Sequence, residues 1–170
     1  MTVKNGRCMC VAVTFEYEGP ENWCAHCHCE DCRRNTSLPF ATWFGVPNTA
    51  SRFTGAEPHV FESSPGARRY FCHVCGTPMA FATDRKPDEF HSYAARLEHP
   101  ESFALQYHVF VKERLPWIKL ADGLPPLRRF ERRIGVGQLM SWRDNLLENM
   151  MFKTLVVGIK RFTVADGTVL

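Results

Sequence analysis

Thiolates are the chemistry this chain offers: its eight cysteines fall into three tight groups. Cys8-Met9-Cys10 comes first, Cys24 to Cys32 carries Cys24, Cys27, Cys29 and Cys32, and Cys72-His73-Val74-Cys75-Gly76 closes the set. Zinc holds sulfur at ~2.3 Å in a tetrahedron, so thiolates two or three positions apart can share one ion. Cys8 and Cys10 with Cys72 and Cys75 predict one closed, structural four-thiolate site that ties the N-terminus to the middle of the chain. Gly76 suits the left-handed turn of a zinc knuckle. An ideal strand would hold Cys8 and Cys10 about 6–7 Å apart, so this site needs the backbone to bend between them.

The middle group predicts a different site. Cys27, Cys29 and Cys32 offer three thiolates to a second zinc and leave one coordination position open, the mark of a catalytic or exchangeable ion. Three thiolates make that zinc a weak Lewis acid, better suited to receiving a thiol than to activating water. Arg33 and Arg34 follow at once and could balance the charge or grip a substrate carboxylate as a fork. We therefore take Cys27, Cys29, Cys32, Arg33 and Arg34 as the candidate catalytic residues. His26 and His28 stand inside the run, where histidines more often orient ligands than bind the metal. His28 and His108 are candidate bases on residue type alone. Cys24 keeps a second arrangement open, because Cys24, Cys27, Cys29 and Cys32 could also close a purely structural site.

A disulfide framework is the rival reading, and it needs an oxidising compartment. The N-terminal Met-Thr-Val-Lys-Asn-Gly-Arg has no apolar stretch of a secretory signal, and no run approaches the ~18 residues of a membrane span. Cys-x-Cys and Cys-x-x-Cys units in such a chain favour metal, and with it a reducing, cytoplasmic setting. The charge of +3, from 21 Lys and Arg against 18 Asp and Glu, is too mild to argue for nucleic acid. A hydrophobic content of 45% excludes a disordered chain.

These cysteines must be positioned by short strands. Val11 to Tyr17 alternates, with Val11, Val13, Phe15 and Tyr17 on one face until Gly19-Pro20 stops it. Phe40 to Val46, His59 to Glu62, Arg68 to Phe71, Pro78 to Ala82, Phe90 to Ala95 and Tyr107 to Val111 read as further strands, with a turn at Ser63-Ser64-Pro65-Gly66. That spacing predicts a mostly β domain over residues 1–130. The character changes after Leu124-Pro125-Pro126. Arg128, Arg129, Arg132 and Arg133 form a basic cluster whose plain reading is a solvated face or linker. Ser141 to Asp144 resembles a helix capping box, and Trp142, Leu146, Leu147, Met150 and Met151 follow at helical spacing. Leu155 to Ile159 and Phe162 to Val164 read as strands. Residues 131–170 thus predict a helix-plus-strand extension whose apolar stripe could pack on the β domain or on a second copy.

These motifs, in this order, resemble the glutathione-dependent formaldehyde-activating family, which also includes centromere-protein-V-like proteins. The matching residues are Gly6 to Cys10, Cys27 to Arg34, Pro39-Phe40 and Ser63 to Pro78, with weaker matches at His99 to Phe103, His108 to Val111, Leu115 to Trp117 and Asp122 to Pro125. Val11 and Ser37 stand where the family has glycine, and Cys24 is outside its pattern. The resemblance implies an Mss4-like (β-tent) fold of zinc-stapled antiparallel sheets. It implies two zinc ions per chain, a structural one on Cys8, Cys10, Cys72 and Cys75 and a labile one on Cys27, Cys29 and Cys32. It also implies carbon–sulfur lyase chemistry, the reversible joining of formaldehyde to the glutathione thiol. The other reading is a non-enzymatic zinc-stapled binding module in which both sites are structural.

Overall fold

The computed structural model describes residues 2–127. The expected extension after Phe130, with its helix stripe, strands and contact to a second copy, lies outside them, as does the basic cluster from Arg128 to Arg133. Two sheets make the domain. The small one has β1 (Val3–Arg7), β2 (Val13–Glu18) and β5 (Ser51–Gly55) in the order β1-β2-β5. The large one has β3 (Trp23–Cys27), β4 (Ala41–Pro47), β6 (His59–Ser64), β7 (Ala67–Phe71), β8 (Pro78–Thr83), β9 (Glu89–Tyr93) and β10 (Tyr107–Val109) in the order β10-β3-β4-β9-β8-β7-β6. All pairings between named strands are antiparallel except β10 with β3. A single α-helix, α1 (Glu30–Thr36), stands among the described residues, and no helix there is long and apolar enough to cross a membrane.

The core lies between one face of each sheet, because alternation sends every second side chain there. Val13, Phe15 and Tyr17 of β2 meet Cys24, Phe44, Val46 and Met79 of the large sheet. Tyr17 and Phe44 have ring centroids 4.9 Å apart, and Phe15 and Phe90 5.7 Å. Cys8 and Cys72 are fully buried in this cluster, so the first sulfur set belongs to the core itself.

Several expected strand ends move by one or two residues, β6 running on through Ser64 into the expected turn, and three of the shifts have a plain backbone cause. β2 begins at Val13 because Val11 sits in a left-handed turn at φ 67° and is 53% exposed. β9 stops at Tyr93, where Ala94–Arg96 winds into a 3₁₀ turn. β10 stops at Val109, because Phe110 turns left-handed at φ 58° and Val111–Glu113 forms another 3₁₀ turn.

The two departures from the family's glycines share one conformation. Val11 has φ 67° and Ser37, the C-cap of α1, has φ 55°. Left-handed backbone crowds a Cβ, and a β-branched residue there is a true outlier. We expect Val11→Gly to stabilise the zinc-loaded protein by about 1 kcal/mol, read as a higher urea midpoint with an unchanged slope. A lower midpoint would mean that the Val11 side chain contributes more than its backbone costs.

Candidate metal and thiol site

The chain bends where the first sulfur set requires it. The N–H of Cys8 donates to the Val13 carbonyl (2.9 Å) and that of Val11 to the Cys8 carbonyl (3.2 Å), closing a tight turn over Met9 and Cys10. The far pair is held alike, with Cys72 N–H on Thr77 O (2.9 Å) and Gly76 N–H on Cys72 O (2.8 Å). Met9 N–H reaches Thr77 Oγ1 (3.3 Å), joining the two turns. Cys8 and Cys10 Sγ are then 3.5 Å apart, Cys10 and Cys72 3.7 Å, and all four sulfurs of Cys8, Cys10, Cys72 and Cys75 lie within 4.8 Å of one another. Sulfurs held at ~2.3 Å in a tetrahedron are spaced about 3.8 Å, so the set fits one zinc. Val13 N–H points at Cys8 Sγ (3.3 Å), and the Thr77 hydroxyl at Cys75 Sγ (3.1 Å). The hydroxyl and the N–H of Thr77 bring the Cys75 thiol down to about 5.

The second set stands where β3 runs into α1. Cys27 ends the strand, Cys29 caps the helix by accepting the Cys32 N–H (3.4 Å), and Cys32 is buried in the first turn. Their sulfurs lie within 4.8 Å of one another, with Cys27 and Cys29 at 3.5 Å. Hydrogen bonds from the Cys27 and Cys32 thiols pull Cys29 down to about 3. The same proton sharing, with burial, pushes Cys27 far above its ordinary value. One sulfur ionises and its neighbours keep their protons. Three thiolates here need a cation, and the donor set and spacing fit zinc as the first set does.

Cys24 does not join them. Three positions before Cys27 on the same strand, it faces the opposite side, in the core with Tyr17 and Phe44. Burial, then the charge of Glu21, pushes its thiol up to about 12. All eight cysteines are free, so the disulfide reading finds no bridge.

Neither expected arginine faces away from the protein unengaged. Arg33 Nε donates to the His28 carbonyl (3.1 Å). Arg34, 76% exposed at its side chain, pairs with Glu30 one turn earlier (2.7 Å).

Sequence reasoning missed a hydrogen-bonded chain behind the second set. His108 Nε2 lies 3.1 Å from both carboxylate oxygens of Asp122, and His108 Nδ1 lies 3.0 Å from His28 Nε2. A carboxylate only accepts, so His108 carries its proton on Nε2 and accepts from His28 Nε2–H through Nδ1. His28 Nδ1 is therefore left as a bare lone pair. It is buried and has no partner among the described residues. Burial and then the charge of His108 bring His28 down to about 4, so the ring is neutral at ordinary pH. His26 lies beside the same pair, its ring 5.2 Å from that of His108, bonded to Thr42 Oγ1 (2.9 Å) and packed on Phe40. The sequence offered His28 and His108 as candidate bases by residue type and Asp122 only as part of a matching stretch, with nothing to link the three.

The family model for the glutathione-dependent formaldehyde-activating enzyme matches residues 3–113. An uncharacterized lyase of Schizosaccharomyces pombe is 37% identical over 79 residues, 45% of this chain and 56% of that protein. The chain thus spans just over half the length of that curated relative. A Rhodobacter sphaeroides protein of known crystal structure is 22% identical, with a TM-score of 0.48 over 72% of this chain and 98% of its own. The family match takes in both sulfur sets and His108, and it covers more than half of the sequence; the chain belongs to the glutathione-dependent formaldehyde-activating enzyme family.

Proposed function

We propose that the protein is a zinc-dependent carbon–sulfur lyase that joins and separates a thiol and an aldehyde, with glutathione and formaldehyde as the pair the family points to. The observation that carries this reading is the inequality of the two sulfur sets. Four sulfurs close the first inside the core, whereas the second has only three. Zinc on Cys8, Cys10, Cys72 and Cys75 would be structural, and a second on Cys27, Cys29 and Cys32 would accept a visiting sulfur and keep it ionised. A reducing, cytoplasmic setting goes with this reading, since both sets work only as thiolates.

In the forward direction the thiol loses its proton, sulfur bonds to the aldehyde carbon, and the π pair of the carbonyl takes a proton on oxygen. The base we assign is His28, which follows Cys27 in the chain and has a bare Nδ1; it would receive the first proton and return it to the oxygen, so the sum balances. Asp122 and His108 act by holding His28 in the tautomer with Nδ1 bare. The aldehyde gains chiefly by being held next to the sulfur.

Reaction of formaldehyde with glutathione followed by NMR tests this directly. The rate should exceed the spontaneous one; a rate equal to background would remove the lyase for this pair. Equal, slow loss of both zincs to a chelator would instead favour the binding module. Asp122→Asn should lower the catalysed rate by about 100-fold, the range of acid–base assistance, with both zincs retained. An undiminished rate would take the histidine chain out of the mechanism.

A further inference from the structure

The face of the large sheet that carries Cys27 also carries side chains to which the chemistry above gives no task. Opposed residues of antiparallel strands share a face. Ala25 lies opposite Trp43 and Trp43 opposite Tyr93, while Arg69 lies opposite Phe81 and Phe81 opposite His91. Trp43, Tyr93, Phe81 and Arg69 therefore stand on the side of Cys27, away from the core. They touch one another: Trp43 and Tyr93 centroids are 3.8 Å apart, Trp43 and Phe81 6.2 Å, and the Arg69 guanidinium carbon sits 5.1 Å over the Phe81 ring. Asn35 of α1 donates to Tyr93 Oη (2.6 Å), which ties the wall to the helix of Cys32.

Arg69 reaches the Tyr93 hydroxyl, yet two strong donor atoms on this wall lack acceptors. Arg69 is 8% exposed and Trp43 5%, and neither Arg69 Nη1 nor Trp43 Nε1 has a hydrogen-bond partner among the described residues. No carboxylate among those residues pairs with Arg69, although a guanidinium taken out of water needs an anion. The nearby sulfurs supply diffuse negative charge, but the fork of a guanidinium matches the paired oxygens of a carboxylate. Arg33 and Arg34 are already engaged, as described above.

We propose that Arg69 and Trp43 form the subsite for a carboxylate of the thiol substrate, with the Phe81 and Tyr93 rings lining the span between it and the sulfurs of Cys27, Cys29 and Cys32. The substrate class is then a thiol that bears a carboxylate, as a thiol peptide does, rather than any small thiol. This rests on reading the three sulfurs as the thiol-receiving site, and the experiment separates the two claims. The zinc-loaded full chain is titrated by calorimetry with 3-mercaptopropionate and with 2-mercaptoethanol, which differ in the carboxylate. Wild type should bind the acid about tenfold or more tightly than the alcohol, as expected for a hydrogen-bonded charge. Arg69→Gln should erase that preference while holding two zincs and its affinity for 2-mercaptoethanol. Equal affinities in wild type would overturn the subsite alone, a result that needs no variant to fold. Binding of neither thiol would overturn the thiol-receiving reading beneath it. Loss of the second zinc in Arg69→Gln, with Arg69→Lys restoring it and no preference between the thiols, would make Arg69 a counter-charge to the sulfurs and overturn the subsite.

Discussion

Cys72→Ser is expected to abolish cooperative folding. Cys72 is fully buried in the core cluster, and its sulfur lies 3.7 Å from that of Cys10, across 62 positions of sequence. Around these sulfurs the turn leading into β2 meets the turn between β7 and β8, so one ion would staple the small sheet to the large one. Structural zinc sites contribute about 10–16 kcal/mol of apparent binding free energy, against a net stability of about 5–15 kcal/mol for a domain. Removing one of four ligands also leaves three close sulfurs in the core without a cation to hold them as thiolates. The variant should show no sigmoidal melt by circular dichroism, with its zinc lost on gel filtration. A Cys72→Ser protein that melts like wild type and keeps two zincs would mean that the first set staples nothing.

How far this was legible depends on what each residue must cooperate with. The Val13, Phe15, Tyr17 alternation of β2 reads from sequence because those side chains fill the core whatever their partners. β1 (Val-Lys-Asn-Gly-Arg) does not, since only Gly6 is buried and its strand character comes from pairing with β2. β3 hid behind its own cysteines and histidine, residues read as ligands before they were read as a strand. Once β3 is a strand, period two separates Cys24 from Cys27 and settles which sulfurs meet. The α1 segment is too short for an apolar stripe, with only Cys32 buried, although Glu30 and Asp31 in its first turn and Arg33 and Arg34 in its last mark a helix. Arg68 and Arg69 look alike as letters. The register sends one to Asp84 at the surface and the other beneath the sheet face of Cys27. The chain from Asp122 through His108 to His28 joins three separate stretches, and only the parallel pairing of β10 with β3 brings two of them together.

Cys29→Ser should have the opposite signature, with the fold kept and the chemistry lost. Cys29 is half-buried, lies outside the core cluster, and contributes to local structure only by capping α1. Serine caps a helix as well as any residue, so the turn that presents Cys32 should survive the exchange. What disappears is the sulfur that ionises first, drawn down by the Cys27 and Cys32 thiols beside it. Two thiolates and a hydroxyl hold zinc far more weakly than three thiolates, so zinc should fall from two to one per chain with Tm within a few degrees of wild type. The catalysed rate should fall by about 1000-fold or to the spontaneous level, because positioning of the thiol and proton transfer at His28 are lost together. Metal analysis, a melt and the NMR assay on one sample decide the matter. Two zincs and an undiminished rate would break the assignment of the second set, whereas loss of the fold would place Cys29 with the staple instead of the reaction. Serine at Cys72 and serine at Cys29 remove the same atom from two similar groups. If their outcomes matched, the two sulfur sets would be equivalent, and the reading of one as cage and the other as receiver would fail with them.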